Sequence, residues 1–187
     1  MPIKLLRPIL ARIMPDEAKR AGERVASIAL QEYRARENGA KYYEAYDGGG
    51  SSCGYFGLWC WQEAGFPLTH GHNRIEILQS AYLAATIHTM WQALLVGGRC
   101  VALGWHDEQY GDPRPGDLVL LRRKADDEQP GHVGLVIETH PGGARVETVE
   151  GGYETAAGPN NIGRDYWTEG SDKVVCFIRP LRKGQGI

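Results

Sequence analysis

The sequence predicts an α+β domain in which helices from the first half pack against an antiparallel sheet built from the second. Three observations carry this. Apolar residues recur at helical spacing as far as Leu95. From Gly97-Gly98 onward the period changes to alternating. The tight turn His140-Pro141-Gly142-Gly143 joins two alternating segments as a hairpin, which requires antiparallel neighbours.

The chain of 187 residues is long enough to bury a sizeable core without staples. We expect one domain over 16–180, an N-terminal extension over 1–15 and a tail over 181–187. Hydrophobic content of 42% and charged content of 24% are ordinary for a globular protein, and a net charge of -2 gives no electrostatic footprint for nucleic acid. The basic run Arg179-Pro180-Leu181-Arg182-Lys183 is short and reads as a solvated end. Near the N-terminus, Arg7, Pro8 and Arg12 interrupt any apolar signal-peptide core, and no window approaches a span of about 20 apolar residues. The expectation is synthesis in the cytoplasm without a signal peptide and no membrane association, with any export by another route.

The first helix is expected over 16–36, with Asp16 as its cap and Ala21, Val25, Ile28 and Ala29 on one face. Glu37-Asn38-Gly39 ends it. An aromatic segment, 41–46, and the run Asp47-Gly48-Gly49-Gly50 lead to a second helix. There Ser52 is placed to cap, Cys53, Phe56, Cys60 and Ala64 share a buried face, and Gly65 stops the helix. A long helix is expected from about Arg74 to Leu95, within a helical elaboration over 68–113. Strands follow at 99–103, 118–121, 132–138, 145–149 and 173–178, with Asp165-Tyr166-Trp167 in a polar stretch before the last.

Four cysteines, Cys53, Cys60, Cys100 and Cys176, form no Cys-x-x-Cys pair and no zinc-ligand spacing. Seven residues of helix separate Cys53 from Cys60 by about 10 Å along the axis, too far for a disulfide. Cys60 reads as a buried structural thiol. Cys53 differs by position: at the positive end of a helix dipole its thiolate is favoured.

A cysteine nucleophile needs a base, and the base needs an orienting partner. Among six histidines, His70 and His72 make a weak His-x-His metal signal, while His88, His106 and His140 fit structural or solvated positions. His132 instead opens a strand. A three-residue loop pairing Thr139 with Gly143 would place it opposite Glu150, with Cβ atoms roughly 4.5–5.5 Å apart. A slip by two residues would still keep both on one face. A solvated edge pair is the alternative, but Gly131, Gly134, Gly151 and Gly152 clear bulk around both residues.

These residues in this order resemble the papain-like amidases and peptidases of the CHAP and NlpC families. The correspondence covers roughly residues 20–180. Cys53 opens a helix with Ala64-Gly65 about a dozen residues on, and Pro115-Gly116-Asp117-Leu118-Val119 makes a turn into a strand. Gly131-His132-Val133-Gly134 and Val149-Glu150-Gly151-Gly152 follow, and Glu37-Asn38-Gly39-Ala40-Lys41-Tyr42 is similar to the approach to the cysteine in several CHAP amidases. Three positions depart from the pattern: Gly54, where Ser, Ala, Thr or Val is usual; Ser52, where Trp or Asp is common; and Gly152, where Asn is usual. None is a reacting group.

The resemblance implies a papain-like fold and a thiol amidohydrolase acting on bacterial peptidoglycan, as an amidase or endopeptidase. Cys53 would be nucleophile, His132 base and Glu150 orienter. The Cys53 backbone N–H would be one oxyanion donor, with Tyr42, Tyr43 and Ser52 as further oxyanion or substrate-binding candidates. No metal and no cofactor is implied. Action would be in the periplasm or cell wall, after delivery as a phage lysin or an injected toxin, the latter with an immunity protein as partner. Two rivals are an acyltransferase on the same fold and a catalytically silent binding module, which the intact Cys53, His132 and Glu150 set argues against.

Overall fold

A computed structural model describes residues 7–35, 42, 52–66, 100–128, 130–155 and 158–180; of these, 7–18, 52 and 153–161 are described as backbone alone. Two helices, α1 (Arg7–Ala35) and α2 (Ser52–Glu63), precede strands β1 (Cys100–Leu103), β2 (Leu118–Leu121), β3 (His132–Thr139), β4 (Arg145–Thr155), β5 (Gly158–Thr168) and β6 (Val174–Pro180). The described strands form one sheet in the order β1-β6-β2-β3-β4-β5, every neighbouring pair antiparallel. The α+β class expected from the change of period is the class observed.

Alternation along the strands divides the core in two. Leu118, Leu120, Val133, Leu135, Ile137 and Val149 face α1 and α2, where Val25, Ala29, Phe56, Cys60 and Trp61 meet them. The intervening positions Val119, Leu121, Val136, Val146 and Phe177 form a second cluster with Trp105 and Trp167. Because side chains on a strand point alternately to opposite faces, each short strand serves both clusters at once.

Three expectations need correction. Helix α1 starts at Arg7 and not at Asp16, so Asp16 lies inside it and does not cap it. Pro8 falls in the first turn, where its missing N–H has no intrahelical partner to lose, and Pro15 removes a single rung without ending the helix. The segment 68–113 is more than an elaboration, because its end supplies β1, which pairs with β6. The helix expected over 74–95 lies outside the described residues. Finally, the stretch holding Asp165-Tyr166-Trp167 is part of β5. A strand with one neighbour needs few apolar residues, so its alternation is weak in the sequence.

The Pro115-Gly116-Asp117 turn ties the helices to the sheet. Gly116 adopts a φ of 93°, and its carbonyl accepts from Trp61 Nε1 of α2 at 2.9 Å. Helix α1 crosses the same turn so closely that a Cβ on Gly22 would lie 2.2 Å from the Pro115 carbonyl oxygen, which is backbone and has little room to yield. Asp117, 1% exposed, accepts from Arg179 Nε at 3.0 Å and Nη2 at 2.8 Å. Arg179 also donates to the carbonyls of Tyr110 and Asp112. Burial pushes the Asp117 carboxyl up against the pull of Arg179. Asp117→Ala would leave the Arg179 guanidinium buried without its counter-charge. We expect a loss of about 3–5 kcal/mol, read as a lower urea midpoint, and a loss below 1 kcal/mol would overturn the assignment of this pair as a buried anchor.

Candidate active site

Helix α2 presents Cys53 in its first turn, and its far end shows why the helix stops there. Gly65 takes a φ of 86°, its N–H donates to the Gln62 carbonyl at 2.8 Å, and the Phe66 N–H donates to the Trp61 carbonyl at 2.9 Å. This is the reciprocal glycine closure that satisfies a helix's last carbonyls. Cys53, Phe56, Cys60 and Ala64 are all buried, as their spacing predicted, and Leu58 and Trp61 are buried beside them. Cys53 is 1% exposed.

Strand β3 brings His132 to that thiol. The imidazole is hydrogen-bonded to Cys53 on one side and to Glu150 on the other. Its Nε2–H donates to Glu150 Oε2 at 2.8 Å, which leaves Nδ1 for the sulfur. The structure therefore joins the three residues that the sequence singled out.

The route to this contact differs from the expected register. The hairpin turn is Pro141–Ala144, closed by the His140 N–H on the Arg145 carbonyl at 2.9 Å, with Gly142 and Gly143 at φ of 87° and 72°. Thr139 pairs with Val146 and not with Gly143, a slip of three residues. A bulge at Ile137, between the pairs Glu138↔Glu147 and Val136↔Thr148, takes one back. The remaining slip is two, which preserves the face. Continuing the pairing Leu135↔Val149 puts Glu150 across from Gly134, so His132 is its diagonal neighbour. Gly134 is needed for this: a Cβ there would lie 2.9 Å from Glu150 Oε1 and 3.1 Å from its Cγ.

Glu150 is 2% exposed, and each of its oxygens is held. Besides His132 on Oε2, Oε1 accepts from Thr148 Oγ1 at 2.6 Å and from Trp167 Nε1 at 2.9 Å. Burial alone would raise its pKa, but the hydrogen bond and charge of His132, helped by Thr148 and Trp167, hold it below the ordinary carboxylate range. For His132, burial works against the cation. The Cys53 hydrogen bond, the Glu150 hydrogen bond and the charges of both partners outweigh it and push the imidazolium up to about 10. The arrangement stabilises a thiolate–imidazolium pair backed by a carboxylate, the electronic state needed for attack on a carbonyl.

Thr148 and Trp167 are positioning residues that the sequence reading did not single out. Thr148 lies two residues before Glu150, on the same face of β4, which was a usable signal. Trp167 carried none, because β5 itself was not expected. Tyr42 is fully buried, its hydroxyl hydrogen donated to Glu32 Oε2 at 2.7 Å and its ring edge-on to Phe56 and Trp59. That commits its one proton away from an oxyanion. Tyr43 and the Ser52 side chain lie outside the described residues, as do His70, His72 and His88. His106 is exposed and bonds Asp112 at 2.6 Å and Glu169 at 3.3 Å, and His140 lies 3.5 Å from Glu147. None of the four cysteines is in a disulfide. Burial pushes Cys100 up to about 12, with Cys176 adding to it, and burial pushes Cys176 up to about 11.

No family model, curated protein or solved structure matches the chain.

Two outcomes follow from these states. Iodoacetamide near pH 7 should modify Cys53 well before Cys60, Cys100 or Cys176, mapped by peptide mass spectrometry; equal labelling of the four would defeat the ion-pair assignment. The imidazolium should persist from below the ordinary histidine value up to about pH 10 and be lost as pH rises through it, taking with it whatever stability it confers. The His132 ring titration, followed by NMR, should therefore have its midpoint near pH 10. In Glu150→Gln, which deletes one cause of the rise, that midpoint should move to lower pH. An unmoved midpoint would show that Glu150 does not tune the imidazole.

Proposed function

We propose that the protein is a cysteine-dependent amidohydrolase whose substrate is an amide bond of bacterial peptidoglycan. The observation that carries this reading is the connected Cys53–His132–Glu150 set, with the thiol in the first turn of a helix and the carboxylate fully hydrogen-bonded. Order and spacing of the motifs around these three residues, similar to those of CHAP and NlpC amidases, supply the substrate class and the papain-like description of the fold.

The chemistry proceeds in two halves. The thiolate of Cys53 attacks the carbonyl carbon, and the Cys53 backbone N–H at the start of α2 faces the developing oxyanion. As the C–N bond breaks, the His132 imidazolium gives its proton to the departing amine. A thioester and a neutral imidazole remain. His132 then takes a proton from water as it attacks the thioester, the C–S bond breaks, and the acid product leaves with the thiolate–imidazolium pair restored. Throughout, Glu150 holds the ring orientation and stabilises the cationic state, as Thr148 and Trp167 hold Glu150.

Incubation with purified sacculi followed by mass spectrometry of soluble muropeptides tests this. We expect new amino ends, lost in Cys53→Ala and reduced roughly 10²–10⁴-fold in His132→Ala. EDTA should have no effect; loss restored by zinc would redirect attention to His70 and His72. Export to the periplasm on a fused signal peptide should lyse cells in a Cys53-dependent way. Intact cells together with unchanged sacculi would overturn the wall-hydrolase reading, and efficient transfer to an added amine with little hydrolysis would favour an acyltransferase.

A further inference from the structure

A cavity of about 300 Å³ opens beside His132 and Glu150. Its described walls come from β2, β3, β4, β5 and the segments flanking them and β6, and no described residue of α2, the helix that carries Cys53, is among them. The described lining thus lies on the sheet side of the imidazole. Arg122, Arg123 and Lys173 line it, together with the indole of Trp167.

The charge of this wall is not neutralised from within. Arg122 is held by backbone carbonyls, Nε donating to Asp127 and Nη1 to Asp172, both at 2.8 Å, and Arg123 Nε donates to the Gly131 carbonyl at 2.9 Å. Carbonyls fix the direction of a guanidinium and leave its charge intact. Among the described residues none of the three cations forms an ion pair. Of the two carboxylates among the described lining residues, Glu150 is matched by His132, which leaves Asp165 against three cations. Such a wall, beside a flat indole, suits an anion attached to a carbon chain.

The reaction says which half of the substrate reaches it. In acylation the C–S bond forms as the C–N bond breaks, and the proton passes from His132 to the departing nitrogen. The leaving amine must therefore lie against His132, and the chain beyond that nitrogen runs on past the ring. Resting on the amidohydrolase reading above, we infer that this cavity is the leaving-group subsite and that it selects amines carrying a free carboxylate, such as the carboxyl end of a peptide.

Alkylation reads the subsite without any substrate. Iodoacetate and iodoacetamide share one reaction at Cys53, and the first carries the carboxylate. In Arg123→Gln/Lys173→Gln, which keeps His132, the iodoacetate-to-iodoacetamide rate ratio should drop at least about five-fold at low ionic strength, and added salt should narrow the difference from wild type. A second arm compares peptides whose leaving residue ends in a free or an amidated carboxyl. The free form should have a kcat/KM higher by about ten-fold or more in the wild type, and that preference should collapse in the double variant. An unchanged reagent ratio, or equal cleavage of the two peptides, overturns the inference. If neither peptide is cut while the reagent ratio still falls, the anion subsite stands and the amidohydrolase reading is what fails.

Discussion

A carboxylate that is 2% exposed has to be compensated wherever it sits, and the centre of this protein is arranged around that requirement at Glu150. Three strands supply its partners. Strand β3 gives the imidazolium, β4 the Thr148 hydroxyl, and β5 the Trp167 indole N–H. A fourth contribution is a missing side chain, since the carboxylate lies over Gly134. None of these groups could be withdrawn without leaving part of a buried charge unsatisfied. Cys53 and Glu150 together push His132 toward its cation, so the imidazolium is paired with the sulfur on one side and the carboxylate on the other. Compensation of one buried charge and the ion pairing of one thiol are thus a single problem with a single solution.

Holding a helix-borne thiol against a strand-borne imidazole demands that helix and sheet stay in fixed relation. The Pro115-Gly116-Asp117 turn does this from three directions. Trp61 of α2 donates to it, α1 crosses it at Gly22, and Arg179 of β6 clamps Asp117 within it. Its own backbone is tied to the neighbouring strand, the Gly116 N–H donating to Val136 and the Val136 N–H to Asp117. Val136 is two residues beyond Gly134, so the clamp and the site share one short piece of β3. A glycine with positive φ and a second glycine in close approach are what allow so many elements to meet there.

The bulge at Ile137 connects these two constraints. Without it the hairpin would slip by an odd number of residues, and Glu150 would point to the helix face while His132 pointed away. One extra residue on β3 restores an even slip. The geometry of the candidate site here depends on a local irregularity placed five residues from His132, on the strand that carries it.

Much of this was legible in the sequence. Helix α2, its glycine stop, the start of β3 at His132 and the shared face of His132 and Glu150 follow from periodicity, dihedral preference and the two-residue repeat of a strand. These rules act between residues close along the chain. Other features were settled when distant segments met. The Asp117–Arg179 clamp joins positions 62 apart, Trp167 reaches Glu150 from a strand with a weak pattern, and Tyr42 spends its hydroxyl on Glu32. Register belonged to this second group as well, because the turn that sets it and the bulge that corrects it depend on which carbonyl each N–H finds across the hairpin. Local chemistry determined which residues could react. Only the packed sheet decided how they are held, because a buried charge is satisfied by whatever the fold brings near it.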